Sequence, residues 1–117
     1  MRFLVLLIVF LSGCAHDPWR PRDTALEIAF QTTLVADAIT TSRIKDHPNL
    51  IEGSYLTQRV IGENPSDRAT LHYFLTMGIS HYLISRALSH KWRPWYQGGT
   101  LIYEIDAVRN NCDNGLC

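Results

Sequence analysis

Three ionisable residues stand out because each lies on the apolar stripe of a separate stretch with helical periodicity. Asp37 lies in the middle of the first stripe, His81 lies in the middle of the second, and Glu104 borders the third. Burying a charged side chain is costly unless the charge is paired, so we expect the three side chains to meet between the helices. Other polar side chains could complete the hydrogen bonding of this buried network: Thr40, Thr41, Tyr73, Tyr82 and Asn110.

Such a cluster has three interpretations. It could be a structural network of Asp37, Thr41, His81 and Glu104 that fixes the register of the helices. It could hold a metal ion, because carboxylates and an imidazole are acceptable ligands for zinc or a harder divalent ion, although no Glu-x-x-His or His-x-x-x-His pair is present. It could also be an acid–base centre, although no Gly-x-Ser-x-Gly or Ser-x-x-Lys motif accompanies it.

Three long helices and one short helix must position these residues. The periodicity predicts long helices over about residues 23–43, 66–89 and 94–110, and a short helix near 55–60. Ser66 is the predicted N-cap of the second long helix, and Pro94 opens the third. No strand pattern is evident, so we predict an all-α fold, an up-down-up bundle of three long helices plus one short helix.

Length and charge limit the possible functions. The chain has 117 residues, enough for one domain, and its 11 basic and 11 acidic residues balance. A basic excess that would meet the phosphates of a nucleic acid is absent from the sequence. We therefore expect no nucleic-acid partner, and no cofactor other than a covalent lipid.

The N-terminus predicts export from the cytoplasm. Arg2 precedes a nine-residue apolar run at 3–11, which is too short for a transmembrane helix but typical of a signal peptide. The following stretch Leu11-Ser12-Gly13-Cys14 resembles the lipobox of bacterial lipoproteins. That resemblance implies a signal peptide at 1–13, cleavage before Cys14 and acylation of its thiol and amine. An uncleaved membrane anchor with a chance cysteine is the alternative.

The lipobox resemblance also implies a location and a domain organisation. Ala15 follows the cysteine, and in enterobacterial-type sorting this implies transport to the periplasmic face of the outer membrane rather than retention in the inner membrane. We expect a lipidated tether at 14–22 and a helical domain at 23–117. Membrane lipid, reached through the acyl chains, is then one partner, and a second protein of the cell envelope is another.

Two further cysteines flank a turn at the C-terminus. Cys112 and Cys117 enclose Asp113-Asn114-Gly115-Leu116, and Asn-Gly is a strong turn dipeptide. In an oxidising compartment we expect these cysteines to form a disulfide that closes a small terminal loop. Metal binding by this pair is the rival interpretation, although no other Cys or His lies close in sequence.

The tripeptide Trp-Arg-Pro occurs twice. Trp19 and Arg20 precede the first long helix, and Trp92, Arg93 and Trp95 stand at the start of the third. In an up-down-up bundle both stretches lie at the lipid-anchored end, where tryptophan favours the membrane interface and arginine meets lipid phosphates. Alternatively, the tryptophans only cover the end of the core.

Residues 37–110 resemble a group of small uncharacterised helical proteins of bacteria and their phages. The resemblance implies no activity. Its shared positions are Asp37, Thr40, Glu52, Gly62-Glu63-Asn64-Pro65-Ser66, Tyr73, Phe74, His81, Glu104 and Asn110.

Three functions remain open from the sequence. The first is a non-enzymatic lipoprotein of the cell envelope that binds a protein or packs on the membrane. The second is a factor of phage or prophage origin that acts at the envelope in lysis or exclusion. The third is an enzyme or metal protein built on Asp37, His81 and Glu104.

Overall fold

The computed structural model describes residues 17–117, and within this range all regular structure is helical. The four α-helices are α1 (Pro21–Ser42), α2 (Tyr55–Ile61), α3 (Asp67–Ala87) and α4 (Arg93–Asp113), and a single 3-10 turn covers Ile44–Asp46. The predicted all-α class is confirmed for these residues. The predicted signal peptide at 1–13 and the predicted acylation site Cys14 lie outside the described residues.

Side chains at the helix starts explain where the helices begin. Ser54 accepts a hydrogen bond from the backbone N–H of Thr57, and Ser66 accepts one from Ala69, so both serines act as N-caps. Pro21 is the first residue of α1, where the missing N–H of proline costs nothing. The first helix therefore begins two residues before the predicted start at residue 23. The last two residues of the tether predicted at 14–22 belong to this helix.

A glycine in the left-handed region ends α4. Gly115 has φ +82°, its N–H donates to the carbonyl of Cys112, and the N–H of Leu116 donates to the carbonyl of Asn111. These two bonds form a Schellman motif, which favours glycine at this position. The loop brings Cys112 and Cys117 together, and they form the disulfide that the sequence predicts.

The apolar core is small and lies where α1 meets α3. Phe30, Leu34 and Phe74 are almost completely buried, and Met77 and Leu101 pack against them. The helices approach closely at Gly78, whose carbonyl accepts a hydrogen bond from Gln31. The paired glycines Gly98 and Gly99 of α4 face open space.

The interior is otherwise polar, and much of the outer surface is apolar. Among residues 17–117, fourteen polar or charged residues are buried, against five hydrophobic residues of the core. No residue in 24–42 or 69–85 is both charged and exposed. Between residues 17 and 117, no helix combines the length and the apolar character that crossing a membrane requires. Several large apolar side chains of α1 and α3 are at least half exposed: Ile28, Val35, Ile39, Leu71, Leu75 and Ile79.

Candidate functional site

The buried polar residues form two clusters at opposite ends of α1. The arginine cluster consists of Asp23, Glu27, His81, Arg93 and Gln97, and the carboxyl cluster consists of Asp37, Glu52, Glu104 and Asn111.

The structure separates the three ionisable residues that the sequence singled out. Asp37 and Glu104 meet, but His81 pairs with Glu27, ten residues or about 15 Å along α1 from Asp37. The expectation that His81 joins Asp37 and Glu104 is therefore wrong. Glu27 was not among the predicted residues, although it lies three residues before Phe30 and thus on the same inner face of α1.

Arg93 organises the arginine cluster. Its side chain is fully buried, and Nη1 lies 3.0 Å from Oδ2 of Asp23. Burial alone would raise the pKa of Asp23, but the backbone N–H of Arg20 and the Arg93 guanidinium hold that pKa below its usual range. The remaining guanidinium N–H groups donate to four backbone carbonyls, those of Asp17, Pro18, Ser85 and Leu88.

Glu27 and His81 continue this cluster along the bundle. Nδ1 of His81 lies 3.0 Å from a Glu27 oxygen, and Gln31 and Gln97 donate to the same carboxylate. Burial favours the protonated form of Glu27, but these hydrogen bonds outweigh it and lower the pKa. Burial lowers the pKa of His81, against the opposing effect of Glu27. Near neutral pH we therefore expect an ionised Glu27 beside a neutral imidazole.

Two aromatic rings hold the His81 imidazole in place. Phe30 stacks on one side with ring centroids 3.5 Å apart, and the Tyr96 ring lies 4.8 Å away at a small interplanar angle. Nε2 lies 2.8 Å from the Thr100 hydroxyl. With both ring nitrogens partnered and the side chain 2% exposed, His81 has no free position for a substrate or a metal ion.

The predicted membrane-interface residues have different environments. Trp92 and Trp95 are 59% and 77% exposed, and Arg20 is exposed. Trp19 is half-buried, and the guanidinium groups of Arg86 and Arg93 lie over its ring. The expectation that Arg93 contacts lipid is wrong, because its guanidinium is needed inside the bundle to neutralise Asp23.

Asn111 ties the carboxyl cluster together. Its side-chain amide donates to Asp37 at 2.8 Å and to the Thr40 hydroxyl at 2.9 Å, and the Thr41 hydroxyl donates to the same Asp37 oxygen. The sequence pattern predicted the neighbouring Asn110, not Asn111, as a hydrogen-bonding partner of the buried network. One residue turns a helix face by about 100°, so a small error in helix phase exchanges the two asparagines.

Asp37 and Glu104 form a buried carboxyl pair in which each group affects the pKa of the other. Burial raises the pKa of Asp37 to about 6, and the charge of Glu52 adds to this effect. Burial and the neighbouring Asp37 raise the pKa of Glu104 to about 8. Because the pKa of Glu104 lies above 7, the pair holds a proton at neutral pH.

Glu52 brings a third carboxyl group from the connection between the 3-10 turn and α2. It is 7% exposed, and its Oε1 accepts a hydrogen bond from the backbone N–H of Ser54. Its Oε2 is buried and has no hydrogen-bond partner among residues 17–117. Burial raises the pKa of Glu52 above its usual range. Only the resemblance to small helical proteins drew attention to this residue.

A cavity of about 470 Å³ lies beside the carboxyl cluster. Asp37, Glu52 and Asn111 form part of its wall, and the tyrosines Tyr55 and Tyr103 also line it. A second, larger cavity of about 980 Å³ is an apolar groove between α1 and α3, which we call the α1–α3 groove. The carboxyl cluster is thus the only one of the two polar clusters, within residues 17–117, whose acidic side chains line a polar cavity.

The arrangement limits the chemistry of these groups. Among residues 17–117, no three His, Cys, Asp or Glu side chains are placed to hold a metal ion together. The metal candidates Asp37, His81 and Glu104 do not converge, and Cys112 and Cys117 are joined to each other. The carboxyl cluster thus contains the protonated Asp37–Glu104 pair and Oε2 of Glu52, which has no hydrogen-bond partner among residues 17–117, and Glu52 lines the cavity.

Comparison of the chain with known protein families, with curated protein sequences and with solved structures gave no match.

Proposed function

We propose that this chain is a lipid-anchored, non-enzymatic module of the bacterial cell envelope whose helical bundle packs against membrane lipid. The lipobox at 11–14 supports the anchor. The observation that carries the proposal is the outer surface of α1 and α3, which exposes large apolar side chains and no Asp, Glu, Lys or Arg over residues 24–42 and 69–85. Exposed apolar patches of this extent mark sites of membrane or protein contact.

The α1–α3 groove is the surface that we assign to lipid. Leu34, Val35, Leu71, Leu75 and Ile79 line it, and all of these side chains except Leu34 are more than half exposed. Covering apolar surface contributes about 25 cal/mol per Å², so contact with acyl chains stabilises this face. Ion-pairing groups stand at one end of the groove, where Lys45 pairs with Asp67. This arrangement suits an apolar layer with a polar boundary.

Contacts between the helix ends support the up-down-up arrangement of the three long helices. The first turn of α4 meets the first turn of α1 through Arg93 and Asp23, and it meets the end of α3 through Ser85. The end of α4 meets the end of α1 through Asn111 and Asp37. In this arrangement both Trp-Arg-Pro stretches stand at the end from which the anchor leaves.

Exposed residues at that end have the chemistry of a membrane interface. Trp92 and Trp95 are exposed, and Lys91 lies over the Trp92 ring. Tryptophan rings favour the headgroup region, and basic side chains reach lipid phosphates. With Ala15 after the acylated cysteine, we propose the periplasmic face of the outer membrane as the location.

Labelled palmitate tests the anchor. The wild-type chain expressed in a Gram-negative host should incorporate the label and sediment with the outer membrane, and Cys14→Ser should lose both properties. The double variant Cys112→Ser/Cys117→Ser is the matched control, because it removes two thiols and keeps Cys14. An unlabelled wild-type chain, or one that keeps residues 1–13, would contradict the proposal.

A photoreactive group within a lipid acyl chain tests the groove. We expect crosslinks to peptides from residues 69–85 and few to the opposite helix α4. Leu75→Glu should reduce the crosslinks by placing a charge in the groove, while Asp106→Glu on α4 should leave them unchanged. If the groove is found in contact with a second protein and gives no lipid crosslinks, its partner is that protein and not the membrane.

A further inference from the structure

We propose that the cavity beside Glu52 is a binding site for a primary alkylammonium group, such as the protonated amine of a small polyamine. This inference concerns a site that the membrane proposal does not use, and it holds whether or not Cys14 is acylated. It rests on the charge of the cavity wall, on an unpartnered carboxylate oxygen and on the size of the cavity.

The wall of this cavity is acidic. Asp37, Glu52 and Asp106 line it, and within the described part of the chain no Lys, Arg or His does so. Glu104, behind Asp37, adds a fourth carboxyl group. Buried carboxylates usually meet a cation, as Asp23 meets Arg93 in the same protein. Here the cation must come from outside the described chain.

The unpartnered oxygen of Glu52 defines the contact point. Oε1 is held by the backbone N–H of Ser54, which orients the carboxylate, and Oε2 has no donor among residues 17–117 although it is buried. Six buried side-chain atoms of residues 17–117 lack a hydrogen-bond partner, and Oε2 of Glu52 is the one whose residue lines this cavity, where a ligand could supply the donor. An ammonium group carries three N–H donors and no acceptor, which is the complement of this wall.

An organic cation fits better than a metal ion. Divalent ions need several oxygens at about 2.0–2.6 Å from one point, and no three acidic side chains of residues 17–117 are placed in that way. An N–H···O contact spans about 2.7–2.9 Å and tolerates oxygens spread around a cavity. Asp37 already accepts a hydrogen bond from the amide of Asn111, which shows that the carboxylates of the wall can accept N–H donors.

The size and the mouth of the cavity suit a small amine with an alkyl chain. Its volume of about 470 Å³ falls within the range of small-molecule sites. Leu56 and Ala107 offer apolar contact for methylene groups, and the exposed ring of Tyr103 can meet a second ammonium group at the entrance.

Binding of a cation should release protons. The Asp37–Glu104 pair holds a proton at neutral pH because burial raises both pKa values, to about 6 and about 8. Other groups facing the pair are Glu52, which is also acidic, and the neutral hydroxyl groups of Thr41 and Tyr73. A bound ammonium favours the ionised carboxylates, so affinity should increase as the pH rises from about 5 to about 8.

Calorimetric titration of the full-length protein with 1,4-diaminobutane tests the site. We expect saturable one-to-one binding at pH 7.5 that weakens at pH 5.5, and a heat that depends on the buffer because protons are released. Tetramethylammonium has the same charge per nitrogen but no N–H donor, and it should bind at least about tenfold more weakly. Magnesium chloride tests the alternative of a metal ion.

Two matched variants locate the binding. Glu52→Gln removes the unpartnered carboxylate and should weaken diaminobutane binding by at least about tenfold. Asp106→Asn removes the same charge from the exposed rim and should weaken it less than about threefold.

Several results would overturn the inference. These are an absence of diaminobutane binding to the wild type, equal binding of tetramethylammonium, preference for magnesium, or unchanged affinity in a folded Glu52→Gln variant. If Glu52→Gln does not fold, the comparison of the cations and the release of protons by the wild type decide the question.

Discussion

The two buried clusters differ in how their charges are balanced. In the arginine cluster, Asp23 and Glu27 receive hydrogen bonds from a guanidinium, an imidazole and amides, and their pKa values are lowered. In the carboxyl cluster, Asp37, Glu52 and Glu104 lie close together without a basic side chain, and their pKa values are raised. Both clusters are well buried.

The difference shows that burial of a polar residue does not by itself indicate a function. The arginine cluster contains the Arg93 cation that balances the Asp23 carboxylate, and it joins three helix ends. The carboxyl cluster is incomplete and borders a cavity, so it has both the need and the space for a ligand. The following predictions test this contrast, beginning with the largest expected effect.

Removing Arg93 should break the arginine cluster. Arg93→Met leaves the Asp23 carboxylate buried without a cation, so we expect the free energy of unfolding at pH 7 to fall by about 3–5 kcal/mol. Urea unfolding measures the loss. The matched control is Arg22→Met, because Arg22 also lies near Asp23 but is largely exposed, and it should cost less than about 1 kcal/mol. Equal losses in the free energy of unfolding for the two substitutions would show that the buried Arg93–Asp23 pair contributes no more to stability than the exposed Arg22 does.

Neutralising Glu104 should stabilise the protein at alkaline pH. Because folding raises the pKa values of Asp37 and Glu104 from 3.8 and 4.5 to about 6 and about 8, the folded state binds more protons than the unfolded state between these values, and stability should fall as the pH rises from about 4 to about 8. Glu104→Gln removes most of this loss, and we expect a gain of about 2–4 kcal/mol at pH 8.5.

Melting temperatures between pH 5 and pH 8.5 check this behaviour. Glu63→Gln, at an exposed site, is the control and should keep the wild-type slope. A wild-type melting temperature that rises over this range would show that the carboxyl pair is ionised in the folded state without penalty.

Opening the C-terminal disulfide should affect the carboxyl cluster more than the arginine cluster. Cys112→Ser/Cys117→Ser releases the loop next to Asn111, and the closed loop is short, so we expect a loss of at most about 2 kcal/mol. Hydrogen exchange should increase at residues 105–113 and change little at 93–100. A uniform increase along α4 would mean that the two clusters are not independent.

The smallest effect is expected for a charge pair on the surface. Lys45 and Asp67 pair with both side chains substantially exposed. Lys45→Gln should change the free energy of unfolding by less than about 0.5 kcal/mol. Together with Arg93→Met, this result would separate the effect of burial from the effect of charge pairing.

The sequence was sufficient for the elements of the fold and for the position of the disulfide. Helical spacing of apolar residues, Ser66 as an N-cap and Pro94 at the start of the third long helix predicted every α-helix of residues 17–117 to within a few residues, although Pro21 was placed before the first helix instead of within it. The Asn-Gly turn between two cysteines predicted the terminal loop. These signals depend on residues that are close together in the sequence, so a single sequence is enough to reveal them.

The partners of the buried residues could not be predicted in the same way. Glu27 and His81 are 54 residues apart, and their pairing depends on how far one helix slides along another. Asn111 replaced Asn110 because one residue changes the helix face. Arg93 was assigned to the surface because it stands beside exposed tryptophans, and only three-dimensional packing shows that Asp23 lies opposite.

The guanidinium of Arg93 also fixes the route by which the chain enters the bundle. Its contacts with the carbonyls of Asp17 and Pro18, and the contact of the Asp17 carboxylate with His90, clamp the chain three residues after Cys14. Three residues span at most about 10 Å. If Cys14 is acylated, the helical domain is therefore held within about 10 Å of its anchor, which restricts its orientation and keeps the α1–α3 groove close to the membrane. Lengthening this segment with a flexible insert would free the orientation of the domain while leaving its attachment intact.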